Sequence, residues 1–233
     1  MINRILSLIF LVVLLATVEL SAQEELPNIP NADLIKGKAF VSYPDYSGSP
    51  WLNPNFQMGE IEFTDGMKVA NIGLRYSSYR DDLVYYNTWL QAQIIVDKVS
   101  LKGFSIIGEN GVKRVFRHQY FDNYENGDRY FEVLSDGEVS LLVYRKVNLE
   151  TANLANVKRG MEYLPTYYYY MFSDKKGYVP LNITRNSLLS VFSPANQKLA
   201  KKLLRRNRVT VTDEVSFVLA WNLLKVNGIK AGY

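Results

Sequence analysis

From Gly59 to about Arg145, hydrophobic and polar residues alternate with a period of two, interrupted at short intervals by turn residues. Glu60-Ile61-Glu62-Phe63 alternates and Thr64-Asp65-Gly66 turns; Ile72, Leu74 and Tyr76 then share one face, with Asn71, Gly73 and Arg75 on the other. The same pattern predicts strands at Leu83 to Tyr86, Gln91 to Val96, Phe104 to Ile107, Val112 to Phe121, Arg129 to Leu134 and Val139 to Tyr144. Asn110-Gly111, Asn126-Gly127 and Asp136-Gly137 are dipeptides that tolerate positive φ in tight hairpins. Residues 147 to 162 carry no clear period and predict a connection, after which Tyr167 to Phe172 and Tyr178 to Ile183 form a last hairpin about Asp174 to Gly177. Short strands spaced this regularly predict a mainly β fold, an antiparallel sandwich or partly open barrel, with a small C-terminal helical segment.

That segment begins where the spacing changes, near residue 184. Asn186 is positioned to cap a short helix ending near Phe192, Ser193 or Pro194 starts a second running to about Arg206, and Thr212 can cap a third from Asp213 to about Val226. In the second helix Leu199 and Leu203 lie at i and i+4 beside Ala200 and Leu204, so one apolar stripe faces inward and a strongly basic surface remains. At the other end, residues 23 to 58 hold Pro27, Pro30, Pro44, Pro50 and Pro54 and predict an extended lead-in to the β-rich domain of residues 59 to 183. Before it, Arg4, the apolar run from Ile5 to Val18 and Leu20-Ser21-Ala22 read as a signal peptide over residues 1 to 22. The run falls short of the roughly 20 residues a spanning helix needs. The expected mature chain is therefore exported, to the periplasm or cell surface of a Gram-negative bacterium, with no transmembrane span after signal removal.

Composition narrows the chemistry. The chain of 233 residues has no cysteine and one histidine, which excludes thiol nucleophiles, disulfides, Cys-rich zinc sites and the HExxH motif. His118 lies in a predicted strand with Arg114, Phe116 and Arg117, where a packed or exposed sheet histidine, rather than a general base, is the expectation. No G-x-S-x-G elbow, P-loop or G-x-G-x-x-G is present. The acidic turn from Asp122 to Asp128 has Tyr124 and Val133 at the third and twelfth places of a calcium loop, so it reads as a hairpin turn rather than a metal site. Asp81 with Asp82, or Glu132 with Glu138, could serve a glycosidase only if a cleft brought a pair together. No catalytic residue, cofactor or metal is expected.

Two surfaces remain as binding candidates. Trp51, Trp89, Tyr76, Tyr79, Tyr85, Tyr86, Tyr163 and Tyr178 join the run Tyr167, Tyr168, Tyr169 and Tyr170, whose rings must divide two to each face of a strand and could give an aromatic contact surface. Charge is also uneven: residues 184 to 233 carry nine Lys or Arg against two acids, whereas residues 23 to 183 carry 17 against 20. Lys198, Lys201, Lys202, Arg205, Arg206 and Arg208 concentrate that excess into a face that could meet an envelope protein or an anionic glycan or lipid surface. Nucleic acid is not an expected partner of an exported chain.

Gly73 to Tyr86 (GLRYSSYRDDLVYY) and Arg129 to Leu142 (RYFEVLSDGEVSLL) resemble uncharacterised exported proteins common in the Bacteroidetes, in which a strand-turn-strand unit precedes a hairpin and a basic helical end. The resemblance covers most of residues 59 to 226 and implies an envelope location and a shared fold, with no activity to carry over. Ser77 stands where that group usually has Asn, and Val84 and Tyr85 stand near its expected acid. The leading expectation is a non-enzymatic envelope protein serving as an interaction or assembly module. The alternatives are a carbohydrate-binding or carbohydrate-cleaving protein with an aromatic surface, and a carrier of a small hydrophobic ligand.

Overall fold

The alternation that begins at Gly59 is realised as one long sheet. The computed structural model describes residues 32–122, 127–154 and 157–231, so the expected signal peptide and the middle of the Asp122 turn lie outside the described residues. Among these residues twelve strands form: β1 (Gly37–Ala39), β2 (Ser47–Gly48), β3 (Gln57–Phe63), β4 (Lys68–Ser77), β5 (Asp82–Asn87), β6 (Ala92–Val96), β7 (Leu101–Ile107), β8 (Lys113–Phe121), β9 (Gly127–Ser135), β10 (Ser140–Leu154), β11 (Val157–Ser173) and β12 (Gly177–Leu181). Their order is β1-β6-β5-β4-β3-β7-β8-β9-β10-β11-β12, antiparallel throughout, with the two-residue β2 added in parallel to β11. The expected mainly β fold with a helical C-terminal segment is what forms. The helices are α1 (Arg185–Ser190), α2 (Pro194–Arg206) and α3 (Glu214–Val226).

A bulge sets which residues of β4 face inward. Gly59 pairs with Ile72 but Glu60 pairs with Ala70, so Asn71 is the extra residue, at φ 59°. Strict alternation from buried Val69 would turn Ile72 outward; absorbing one residue at Asn71 returns Ile72, Leu74 and Tyr76 to the core. Asn accepts this left-handed conformation more readily than most residues do.

The sheet buries opposite faces along its length. In the first half Ile61, Ile72, Leu74, Tyr76, Leu83, Tyr85, Phe104, Phe116 and Tyr130 form one core, with Phe104 stacked on Phe116 at 4.6 Å. Phe131, the very next residue, belongs to an aromatic cluster on the other face with Phe121, Leu142, Tyr144 and Tyr170. Tyr178 of β12 stacks on Phe131 at 5.1 Å and donates its hydroxyl to the Tyr120 carbonyl of β8 at 3.2 Å. Because β8 and β12 are four places apart in the sheet, that contact requires the second half to curl around the cluster. Leu141 and Met171, on the reverse side of the same strands, face the helices.

Two stretches differ from expectation. Residues 147 to 162, expected as a connection, mostly form the arms of a hairpin in which β10 and β11 pair from Ser140↔Phe172 to Leu154↔Val157, with residues 155 and 156 outside the described residues. Among the described side chains from 147 to 162 only Val147 is buried, so little core is there to impose alternation and the period is missing although the strands are present. The described part of the expected lead-in, from Ala32 on, enters the sheet: β1 pairs with β6, β2 pairs with β11, and Ile35 is buried in the first core. Its Phe40 and Trp51 rings meet Tyr43, which contacts Tyr79 and through it Tyr163, so the β1 edge is tied to the β10–β11 hairpin.

Phe131 is fully buried where the curled half closes. Phe131→Ala should lower stability by about 3–5 kcal/mol. Urea unfolding should show this as a lower midpoint at unchanged slope.

Candidate functional site

The helical end is built from three well-terminated helices. Thr184, not Asn186, caps α1: it is extended, its hydroxyl accepts from Ser187 N at 3.2 Å, and Asn186 is already helical. The expected start of the second helix holds, with Ser193 accepting from Asn196 N and Pro194 in the first turn, where a missing N–H costs nothing. For α3 the cap is Asp213 rather than its neighbour Thr212. Asp213 accepts from Ser216 N at 2.8 Å while Ser216 Oγ accepts from Asp213 N at 3.0 Å, a reciprocal box that places a carboxylate at the positive helix end.

Ala200 and Leu204 of α2 and Phe217, Ala220, Trp221 and Leu224 of α3 close over Leu141, Met171, Leu181, Leu188 and Leu189. The inward stripe expected on α2 is therefore used, shifted slightly so that Leu199 lies at its exposed margin. At 100° per residue, Lys201, Arg205, Lys198, Lys202 and Arg206 occupy an arc of roughly 140° centred away from Ala200 and Leu204. All five, and Arg208 just beyond the helix, are exposed, and among the described residues none of the six side chains has an ion pair or hydrogen bond. Lys198 with Lys202, Lys201 with Arg205, and Lys202 with Arg206 are like-charged neighbours at i and i+4, each pair destabilising by about 0.2–0.5 kcal/mol.

A buried charge network, not expected from the sequence, anchors this platform. Arg145 of β10 gives both terminal nitrogens to Glu214 of α3, at 2.7 Å each, and its Nε to Glu132 of β9 at 2.6 Å. Glu132 also takes two bonds from Arg114 of β8 at 2.7 Å, and the Tyr169 hydroxyl donates to Glu214 at 2.7 Å. Burial pushes the Glu214 carboxyl up, but the Arg145 bonds and charge and the Tyr169 hydroxyl outweigh it and hold it below its ordinary value. Tyr169 moves the opposite way, raised by burial and then by Glu214. A signal was available in the sequence: Glu132 is in phase with inward Tyr130 and Leu134, and Arg145 with Leu141 and Val143, so each is a charge at a core position.

The other candidates are placed as follows. Tyr167 and Tyr169 lie on the helix side of β11, with the Arg145 guanidinium over the Tyr167 ring at 4.6 Å. Tyr168 stacks on Tyr144 on the opposite face, and Tyr170 is buried in the aromatic cluster. The Arg75 guanidinium lies 3.7 Å over Trp51, whereas Trp89 is exposed at the β5–β6 turn. His118 Nδ1 lies 2.8 Å from the Leu101 carbonyl, with Nε2 3.3 Å from Asp128. Asp81 is buried, bonded by the Tyr76 hydroxyl at 2.5 Å, Lys98 at 2.8 Å and Tyr130 N at 3.3 Å, and burial raises its pKa despite Lys98. Both oxygens of Asp81 and both of Glu132 thus already accept bonds, and Glu138 is exposed on the β9–β10 turn. Among the described residues no three His, Asp or Glu side chains gather as a metal site, and no helix is long and apolar enough to cross a membrane.

Removing one partner of the network strands a buried charge, so Arg145→Met should cost about 3–5 kcal/mol. The pH dependence has a definite sign. A carboxyl with a depressed folded pKa contributes stability that is fully present above its ordinary value of 4.5 and is lost as pH falls through the lower folded value. In urea titrations the stability gap between the wild type and Glu214→Gln should be constant above pH 4.5 and close below it. Compared with protein-family models, curated proteins and solved structures, the chain finds no match.

Proposed function

We propose that this chain is a non-enzymatic exported protein of a Gram-negative envelope, acting as an interaction or assembly module that docks on an anionic partner through the outer face of α2. One observation carries the reading: six exposed cations on an anchored helical unit have no anionic partner among the described residues. The three like-charge pairs on α2 together cost on the order of 1 kcal/mol, and an anion bound across the arc would relieve that repulsion.

The buried carboxylates support binding over hydrolysis. A glycosidase needs one carboxyl to give a proton and another to reach the sugar or a water. Asp81 and Glu132 are instead saturated by Lys98, Tyr76, Arg114 and Arg145.

Binding to acidic polysaccharides, anionic lipids and envelope extracts should be measured at low and high salt. The wild type should bind at low salt and weaken as salt rises. Lys201→Glu with Arg205→Glu should weaken binding at least about tenfold while leaving the thermal midpoint within a few degrees, because both side chains are exposed. A wild type that binds none of these materials, or a double variant that binds them unchanged, rules the reading out.

A further inference from the structure

We infer that the anionic partner is a phospholipid surface, and that α3 supplies the apolar part of the contact. The inference rests on the docking role proposed for α2 and adds the class of ligand.

Helix α3 has apolar residues on its outer as well as its inner side, with Glu214, Ser216, Asn222 and Lys225 as its polar positions. Phe217, Ala220, Trp221 and Leu224 fill the core, yet Val215, Leu219 and Val226 on the far side are 70%, 61% and 85% exposed. At 100° and 1.5 Å per residue those three fall on one stripe roughly 16 Å long, interrupted by Asn222, whose Oδ1 accepts a bond from the Ser135 hydroxyl of β9 at 2.8 Å. A soluble helix with its inner face buried normally turns polar residues outward. Leu199, 55% exposed, adds a fourth aliphatic side chain at the margin of the basic arc on α2. The two helices bury their inner faces in the same cluster, so their outer faces both look away from it.

Lipid fits this combination better than the other anionic partners. The exposed apolar residues are all aliphatic, whereas the centres of protein interfaces favour Trp, Tyr and Arg seated in pockets. A polysaccharide offers hydroxyls and ring faces, which stack on aromatic rings and gain little from Val and Leu. Acyl chains below a layer of phosphates present apolar and anionic groups together, the arrangement recognised by helices with a cationic border and an aliphatic face.

The test uses the chain from Gln23 onward, which contains every described residue, with three probes: vesicles of phosphatidylglycerol and phosphatidylcholine in equal parts, vesicles of phosphatidylcholine alone, and dissolved dextran sulfate. The expected result is sedimentation with the mixed vesicles and not with phosphatidylcholine. Leu219→Gln with Val226→Gln should weaken vesicle binding by about tenfold or more while leaving dextran sulfate binding and the melting temperature unchanged. If dextran sulfate binds but the mixed vesicles do not, or if the double Gln variant binds vesicles like the wild type, the lipid assignment fails and the anion-docking role stands. Binding confined to a protein fraction of the envelope also overturns the lipid assignment. If neither mixed vesicles nor dextran sulfate is bound and the envelope panel is negative, both readings fall together.

Discussion

Arg145 holds one guanidinium between two carboxylates, Glu132 on the neighbouring strand and Glu214 at the start of α3, and it is the buried tie of the helical end to the sheet, joined nearer the surface by Ser135 to Asn222 and Lys225 to the Asp136 carbonyl. An ion cluster of this kind need not add stability over an apolar replacement. Its effect is on geometry. Because α3 has apolar residues on its outer as well as its inner side, hydrophobic burial alone would permit several rotations of the helix against β9 to β11. Only the rotation that aligns Glu214 with Arg145 completes the network. Any other leaves part of a buried guanidinium unpaired, at a cost of several kcal/mol. The rotation that buries Phe217 and Trp221 is therefore the one that leaves Val215, Leu219 and Val226 outside.

The same strands must satisfy cores on both faces. Tyr130 and Phe131, one residue apart, serve opposite cores, as do Leu141 and Leu142. Strands covered on both sides read as nearly continuous apolar runs, and the segment from Ser140 to Tyr144 does so. Charge can enter such a strand only where a partner waits, which is how Glu132 and Arg145 come to face each other. The first half of the sheet has a solvated face, and there Lys68 and Lys102 meet Glu60 and Glu62 at the surface. These acids of the sheet thus have cations of the sheet beside them, while the six cations of the α2 face have no ion pair among the described residues.

Much of this was legible in the sequence, for identifiable reasons. Period-two alternation exposed the strands of the first half because one face there is wet, and Asn110-Gly111 and Asp136-Gly137 marked real turns. The basic arc of α2 was legible because helical spacing together with Ser193-Pro194 fixes its phase. The ribbon arms of β10 and β11 were not, since alternation records a core and, of their described side chains from 147 to 162, only Val147 reaches one. The pairing of the lead-in with β6 and β11 was hidden because it depends on backbone hydrogen bonds between distant segments, which side-chain pattern does not encode. The Arg145 network was half visible: a charge in phase with core residues announces a buried partner without naming it. Glu214 is 69 residues from Arg145.

The outward faces of α2 and α3 stand in a different relation to folding. Ala200 and Leu204 on one helix, and Phe217, Trp221 and Leu224 on the other, already secure the core. Folding therefore leaves the outer positions free, and polar residues of mixed sign would suit them best. They carry instead repelling cations on one helix and bare aliphatic side chains on the next, both slightly unfavourable in water. A ligand that binds only the folded chain and offsets both terms would raise stability in proportion to its affinity. The two unfavourable features are complementary to a single kind of surface, one that is anionic at its boundary and apolar beneath, and that coincidence carries the lipid proposal further than either helix does alone.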